Sequence, residues 1–467
     1  MNPGTRLALT DLATAVDWPA CANELTVTSG AAGIASSFPV SDIATAAYGA
    51  LALAGAELLQ LRGGPTFNPT VDRRQAGLAM AGNTYLTVDG TPPVEWDAIT
   101  GYYKCQGDGW VYLHGNFPHH RDGLLTLFGV PAEKAAMAAK LSTLTAQQAE
   151  TMGQSAGLCV MKLRTRQEWQ AHGQYFALKS SPVVAITSLA SGQNNLPALS
   201  ANKPLCGIRV LDLSRVIAGP MAGRALAELG ADVLRVGADG LPYFPALAID
   251  TGFGKRWTHI DITRTKGRNS LAGLIAEADV VIDGFRPGAL AAKGFSPKEM
   301  VDINPNLTIA TLSAFSDIGP WANRRGYDSY VQSGVGLTAP IVQGDAPVRL
   351  PCQPLDYLSG CLIAFGTTRA LAQRLITGGT HQVEVSLART AMWFWDMADQ
   401  IGAEPDQPDE NLSITGAKSE KRLRQLKSSQ GTLSALAPPY GYKEDELIWS
   451  GPPPLIDADQ PEWLSRK

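Results

Sequence analysis

Asp356 stands at the predicted start of a long apolar helix, Leu355 to Ile376, closed by the Gly378-Gly379 pair. A carboxylate needs no activation to be ionised near neutral pH, unlike a serine hydroxyl. At a helix start, N–H groups and the macrodipole stabilise negative charge, including the oxyanion of a tetrahedral intermediate. The plain alternative is that Asp356 caps the helix, the usual role of a lone Asp there. A second feature is the turn Val216-Ile217-Ala218-Gly219-Pro220, which follows a β-branched run and opens a helix. In open α/β sheets such helix starts face the carboxyl ends of the strands, where ligands bind. The turn is not a G-x-G-x-x-G fingerprint, so NAD is not suggested. A third feature is Asp42, which repeats the Asp356 setting.

The elements that must hold these groups alternate. IRVLDLSRV, ADVLRVG, DVVIDGF, LTIATLSAF and HQVEVSLA read as strands, separated by helical stretches such as AGPMAGRALAELG, RTKGRNSLAGLIAEA and SPKEMVDINP. Near-continuous apolar strands between helices predict parallel βαβ units covered on both faces, a Rossmann-like open sheet over residues 205–400. YYKCQGDGWVYLHG reads as a hairpin through Gly107-Asp108-Gly109, followed by the helix DGLLTLFGV, so residues 85–189 form a smaller α+β domain. Residues 190–204, rich in Ser, Asn, Pro and Gly, read as a linker, and 401–467 as an extended C-terminal tail. Residues 1–84 carry an echo of the Asp356 region: helix, Gly-containing turn and strand recur with one offset, pairing Asp42 with Asp356 and Val71 with Val385. Duplication of a unit explains a repeat of this length; two unrelated amphipathic helices are the alternative.

Bulk properties narrow the class. Hydrophobic residues make up 45% and charged ones 18%, as in a folded globular protein. The net charge of −4 comes without a basic block, so neither nucleic acid nor an anionic membrane is an expected partner. Six scattered cysteines, Cys21, Cys105, Cys159, Cys206, Cys352 and Cys361, lack zinc or disulfide spacing, so no metal site is expected and a reducing cytoplasm fits. The N-terminus lacks signal-peptide features, and no run of about 18 apolar residues is read as a span.

Several segments, in this order and spacing, resemble the family III CoA-transferases, the CaiB/BaiF group that includes formyl-CoA transferases. They are VLDLSRVIAGPMAGRALAELGADVLRV, GKRWTHIDI, DVVIDGFRPGALAAKGFSPKEMVDINPNL, SAFSDIGPWANRRGYDSYVQSGVG and QPLDYLSG. The N-terminal half resembles the later part of the same family, so the chain looks like two incomplete units fused, one lacking a nucleotide-binding sheet and the other the small domain. The resemblance implies that Asp356 is the nucleophile of a CoA-transferase, passing CoA from an acyl-CoA to a carboxylic acid through an aspartyl-CoA thioester. It implies CoA contacts from Val216, Ile217 and Ala218, with Lys255 and Arg256 reaching the adenosine phosphate. Phe285 and Arg286 would line the adenine and pantetheine region, and Tyr327 the site itself. It also implies no permanently bound cofactor, CoA being part of the substrate, and a homodimer.

The sequence departs from the family at three positions: Ile217 where formyl-CoA transferases have Gln, Gly237 where an acidic residue is usual, and Gly284 where Asn is usual. No counterpart of the Gly-rich loop is evident. The same fold hosts α-methylacyl-CoA racemases, which need an acid/base pair and carry a His where Tyr327 stands, so an acyl-CoA racemase or isomerase is the alternative, and a non-catalytic CoA-binding subunit a third. Asp42 reads as a relic or cap, His119 and His120 as surface residues, and His259 as structural.

Overall fold

A computed structural model describes residues 1–18, 25–92, 96–402, 422–441 and 449–466. Cys21 and the parts of the expected tail at 403–421 and 442–448 lie outside the described residues. The N-terminal module runs α1 (Pro3–Ala15), β1 (Thr26–Thr28), α2 (Val40–Leu61), β2 (Thr70–Asp72) and α3 (Arg73–Ala79), followed by the short strand β3 (Thr87–Val88). By length and composition α2 is apolar enough to cross a membrane, which sequence reading did not anticipate, yet nearly all of it is buried inside the protein. Its apolar surface faces the protein's own core.

The small module is the antiparallel sheet β4 (Gly101–Lys104), β5 (Trp110–Leu113) and β6 (Val160–Lys162). Between β5 and β6 lie α4 (Pro118–Phe128), α5 (Lys134–Leu141) and α6 (Ala146–Ser155); α7 (Arg166–Gln170) and α8 (Gly173–Leu178) follow. Its own core gathers Tyr103, Val111, Leu124, Phe128 and Met137. The strand that ends the predicted small domain, β7 (Ala185–Ala190), instead pairs with the large sheet, so a boundary at 189/190 cuts a strand.

The large sheet contains β8 (Arg209–Asp212), then α9 (Ala218–Glu228), β9 (Asp232–Gly237), α10 (Pro245–Asp250), β10 (Lys255–His259), α11 (Thr265–Glu277), β11 (Val280–Asp283), α12 (Pro297–Ile303) and β12 (Thr308–Ser313). It continues through α13 (Asp328–Gly334), a two-rung hairpin β13 (Val342–Gln343) and β14 (Ala346–Pro347), α14 (Pro354–Thr377), β15 (Thr380–Ser386) and α15 (Leu387–Ile401). Strand order is β10-β9-β8-β11-β12-β15-β7, parallel except for β7. The first six strands thus run 3-2-1-4-5-6, the order of a Rossmann sheet, with the switch point between β8 and β11. The α/β class and Rossmann-like sheet read from the sequence are the observed ones.

The C-terminal segment is more than an extended tail. β16 (Leu423–Ser428) and β17 (Gly431–Leu436) form a hairpin that pairs with β3. Tyr440–Gly441, β18, adds an antiparallel strand to β2, whose other neighbour β1 is parallel. In the large sheet β15 likewise has one parallel neighbour, β12, and one antiparallel neighbour, β7. α2 and α14 pack on one another, and one core of buried residues runs from Leu9 and Leu51 to Leu362 and Phe394.

Candidate active site

α14 begins with Pro354 at its first position, carries Asp356 in its first turn and Arg374 in its last, and ends at Gly378, φ 74°. Its N-cap is Gln353, so Asp356 is the third helical residue and not the cap. Gly360, one turn on, lets α9 approach. A Cβ there would lie 2.5 Å from the Ala218 carbonyl oxygen and 2.8 Å from the Met221 Cβ. This close crossing sets the start of α9 beside Asp356. The turn leading into α9 is itself strained, with Val216 at φ 73°, a conformation that a β-branched residue rarely adopts.

Asp356 is buried, 6% exposed, and lines a small cavity of about 30 Å³. Val216 and Ile217 form one wall and Phe244 and Leu247, at the start of α10, another. Tyr327 and Asp328, the cap and first residue of α13, join Trp96, His114 and Asn116 around it. Of the residues proposed from sequence, Asp356, Val216, Ile217 and Tyr327 thus meet in one place. Ala218 is the first residue of α9 and meets α14 through its carbonyl.

Two others do not reach that place as expected. Lys255 is wholly inside: its Nζ donates to Asp212 Oδ2 at 2.7 Å and to the Pro220 carbonyl at 2.6 Å, beneath Gly223. Burial pushes its ammonium down to about 8 against the pull of Asp212. An ammonium so committed does not reach a phosphate, and its role is to tie β10 to β8. Arg256 is held by Asp232 at 3.0 Å and by the Glu462 carbonyl at 2.8 Å. Both cations are used in structure. Phe285 packs against the outer core beside β11, and Arg286 is exposed, lining a separate hollow of about 260 Å³ with Arg325 and Tyr330.

The electrostatics of Asp356 reverse the sequence expectation. Burial, then the neighbouring Asp328, push its carboxyl well above the usual range. A helix start favours charge by only about 0.3–1 kcal/mol, too little to offset burying a carboxylate against another. Asp328 is also raised, to about 7, by burial, although it accepts the Asp356 N–H at 2.9 Å and a bond from Gln332. The two form a coupled acid pair that retains a proton near neutral pH.

Asp42, the counterpart in α2, is the opposite case. Burial would raise it, but bonds from Arg73 at 2.8 and 3.1 Å, Asn2 at 2.6 Å and Thr5 at 3.0 Å outweigh that and hold its carboxyl below the usual range. α1 packs over this helix start. Asp42 is an enclosed ion-pair partner.

Sequence reasoning passed over Asp328, His114 and Gln353. Asp328 sat in view beside Tyr327, and the HGN run beside the two histidines that were considered. Of those two, His119 is exposed, while His120 is buried and meets Arg325 at 3.0 Å, so it is not a surface residue. His259 is on β10 and meets Asp239 at 2.8 Å.

The family model described as CoA-transferase family III matches residues 205–418. Residues 205–418 belong to CoA-transferase family III. Within that family, the chain is 34% identical over 212 residues to a probable fatty acyl-CoA transferase of Mycobacterium tuberculosis, covering 42% of this chain and 54% of the relative. It is 30% identical over 203 residues to a succinate–glutarate CoA-transferase of Agrobacterium fabrum, covering 39% and 51%. It is also 26% identical over 382 residues to an acyl-CoA transferase of Gibberella moniliformis, covering 72% and 67%. Among solved structures, a CaiB/BaiF family protein from Brucella suis aligns with TM-score 0.39 and 27% identity over 49% of this chain and 65% of that one. The chain spans about half the length of the first two of these relatives.

Proposed function

We propose that this protein is a CoA-transferase that moves CoA from an acyl-CoA to a carboxylic acid, with Asp356 as the covalent nucleophile. The observation that carries the reading is Asp356 itself: a buried carboxyl on the wall of a small cavity, at a helix start, inside a family III domain. A free carboxylate is a poor electrophile, and a covalent enzyme carboxylate divides the exchange into easier steps. Asp356 must first lose its proton, and Asp328 is the neighbouring group able to take it. The Asp356 carboxylate then attacks the thioester carbonyl, and the C–S bond breaks to give a mixed anhydride and CoA thiolate. The thiolate attacks the aspartyl carbonyl, releasing the donor acid and leaving aspartyl-CoA; the acceptor acid reverses the sequence.

For the CoA phosphates we assign Arg286 and Arg325 in place of Lys255 and Arg256. They line one hollow, and Arg325 is two residues from Tyr327 of the Asp356 cavity. The walls of that cavity favour an uncharged acyl chain, because its described lining holds two carboxyls and no lysine or arginine. The racemase reading gains no base: burial pushes Tyr327 far up, and it pushes His114 down to about 3. A reducing cytoplasm suits the described cysteines, which are all free, and a homodimer is the assembly the family resemblance implies. Adding acyl-CoA and trapping with hydroxylamine or borohydride tests the nucleophile: modification at Asp356 supports it, and modification elsewhere or nowhere refutes it.

A further inference from the structure

We propose that His114 is a further catalytic residue of the Asp356 cavity, a neutral imidazole whose N–H holds the substrate's acyl oxygen as that oxygen becomes negatively charged. The inference rests on the transferase reading and adds a group that reading did not require.

His114 follows directly on β5 of the small module, so its backbone comes from a different part of the chain than α14. Its N–H donates to the Cys159 carbonyl at 3.1 Å, which fixes the chain at this point. The imidazole lies flat on the Tyr327 ring, centroids 3.9 Å apart and planes 6° from parallel. The side chain is therefore clamped from below by the sheet and from one face by an aromatic ring. It is 6% exposed, lines the same cavity as Asp356, and its Nδ1 has no hydrogen-bond partner in any other described residue. A buried polar atom without a partner is costly, by about 1–3 kcal/mol. Such a cost is retained where a ligand supplies the missing bond.

The charge state of the ring decides which role it can take. Burial, then the nearby His120, keep His114 neutral across the physiological range. A ring that resists a proton is a weak base, but a neutral imidazole still carries one N–H and donates it without a counter-charge. When the Asp356 carboxylate attacks the thioester carbonyl, the C–O bond forms and the carbonyl π pair moves onto oxygen. That oxyanion is the group a fixed donor stabilises most, because it exists only in and near the transition state. No proton is transferred to or from His114; the oxygen returns to a carbonyl as the C–S bond breaks and the thiolate leaves.

The test uses the full chain and two substitutions. H114F keeps a flat ring for Tyr327 and removes both nitrogens; H114N keeps an N–H donor and removes the ring. The expected result is a fall of about 100-fold in kcat for H114F, the size seen when one oxyanion donor is removed, with KM for acyl-CoA changed less than about threefold. H114N should recover at least about tenfold of that loss. The proposal is overturned if H114F turns over within about threefold of wild type, or if H114N is as slow as H114F. Should H114F fail to fold, H114N decides: a loss of more than about 100-fold overturns the proposal, and retained turnover with a slowed burst supports it. Trapped adduct at Asp356 in the wild type separates this outcome from failure of the transferase reading, which would remove the adduct altogether.

Discussion

The backbone N–H of Asp356 donates to the Asp328 carboxylate at 2.9 Å, so the two acids that face the cavity are joined through the chain as well as through space. Asp328 is thereby fixed at the start of α13 while its charge acts on Asp356. The pH dependence of turnover follows. Both carboxyls are raised in the folded protein, so the ionised nucleophile is lost as pH falls through the neutral region and not only below 4. The acid limb of kcat/KM should lie well above the usual carboxylate range. Asp328→Asn removes the like charge, which lowers the Asp356 value, and should move that limb to lower pH. A limb unchanged in this variant contradicts the coupling.

Asp42 responds with the opposite sign. Its folded carboxyl is held below the unfolded value by Arg73, so its stabilisation is present above about pH 4 and is lost as pH falls through the lowered value. Arg73→Met strands a buried carboxylate and should cost roughly 3–5 kcal/mol in chemical denaturation at pH 7. That cost should shrink below pH 4, and acyl trapping at Asp356 should persist. A neutral effect at pH 7 would show that the pair is not structural.

Lys255 and Arg286 make a contrasting pair. Lys255→Met breaks a buried contact with Asp212 and should destabilise the fold by about 3–5 kcal/mol, with little effect on KM for acyl-CoA in the folded fraction. Arg286→Ala should leave the melting temperature within a degree or two, since it is exposed, and raise KM about tenfold or more by removing a charge-assisted contact. The reverse pattern would restore Lys255 as the phosphate ligand.

The residue types of the large sheet made its order readable: five apolar runs with helices between them leave few arrangements other than a parallel doubly wound sheet. Asp356 was readable for the same reason, as an acid at the start of an unbroken apolar helix. What could not be read is what crosses the fold. Whether Lys255 faces solvent or Asp212, two strands away, depends on the gap left by Gly223 of α9. His114 and Tyr327 are 213 residues apart and meet only when the small module closes over α13. Ionisation was misjudged because a carboxylate's usual state presumes water, and burial beside Asp328 is a property of packing.

Gly360→Ala tests the crossing that arms the site. The added methyl would sit 2.5 Å from the Ala218 carbonyl oxygen, so α9 must shift, at a cost of about 1–3 kcal/mol. Activity should fall by more than the loss of folded protein explains, because Val216 and Ile217 move with α9. An unchanged specific activity would mean that this turn does not shape the cavity.

Acceptor choice follows from charge. Two carboxyls and no described lysine or arginine line the cavity, so monocarboxylic acceptors should be used at least about tenfold better than dicarboxylic acids of equal length, a like-charge penalty of more than about 1.4 kcal/mol. A screen of matched acids by CoA exchange checks this, and a preference for the dicarboxylates would contradict it.

Oxygen transfer gives the most direct test of the central claim. If the acceptor acid displaces CoA from an aspartyl thioester, one of its carboxylate oxygens must remain on the enzyme. A single turnover with acceptor labelled in both carboxyl oxygens with oxygen-18 should therefore leave one heavy oxygen in the peptide that contains Asp356, seen by mass spectrometry as a gain of about 2 Da. Continued turnover with that peptide at its natural mass would show that the carboxyl of Asp356 never joins the acyl chain.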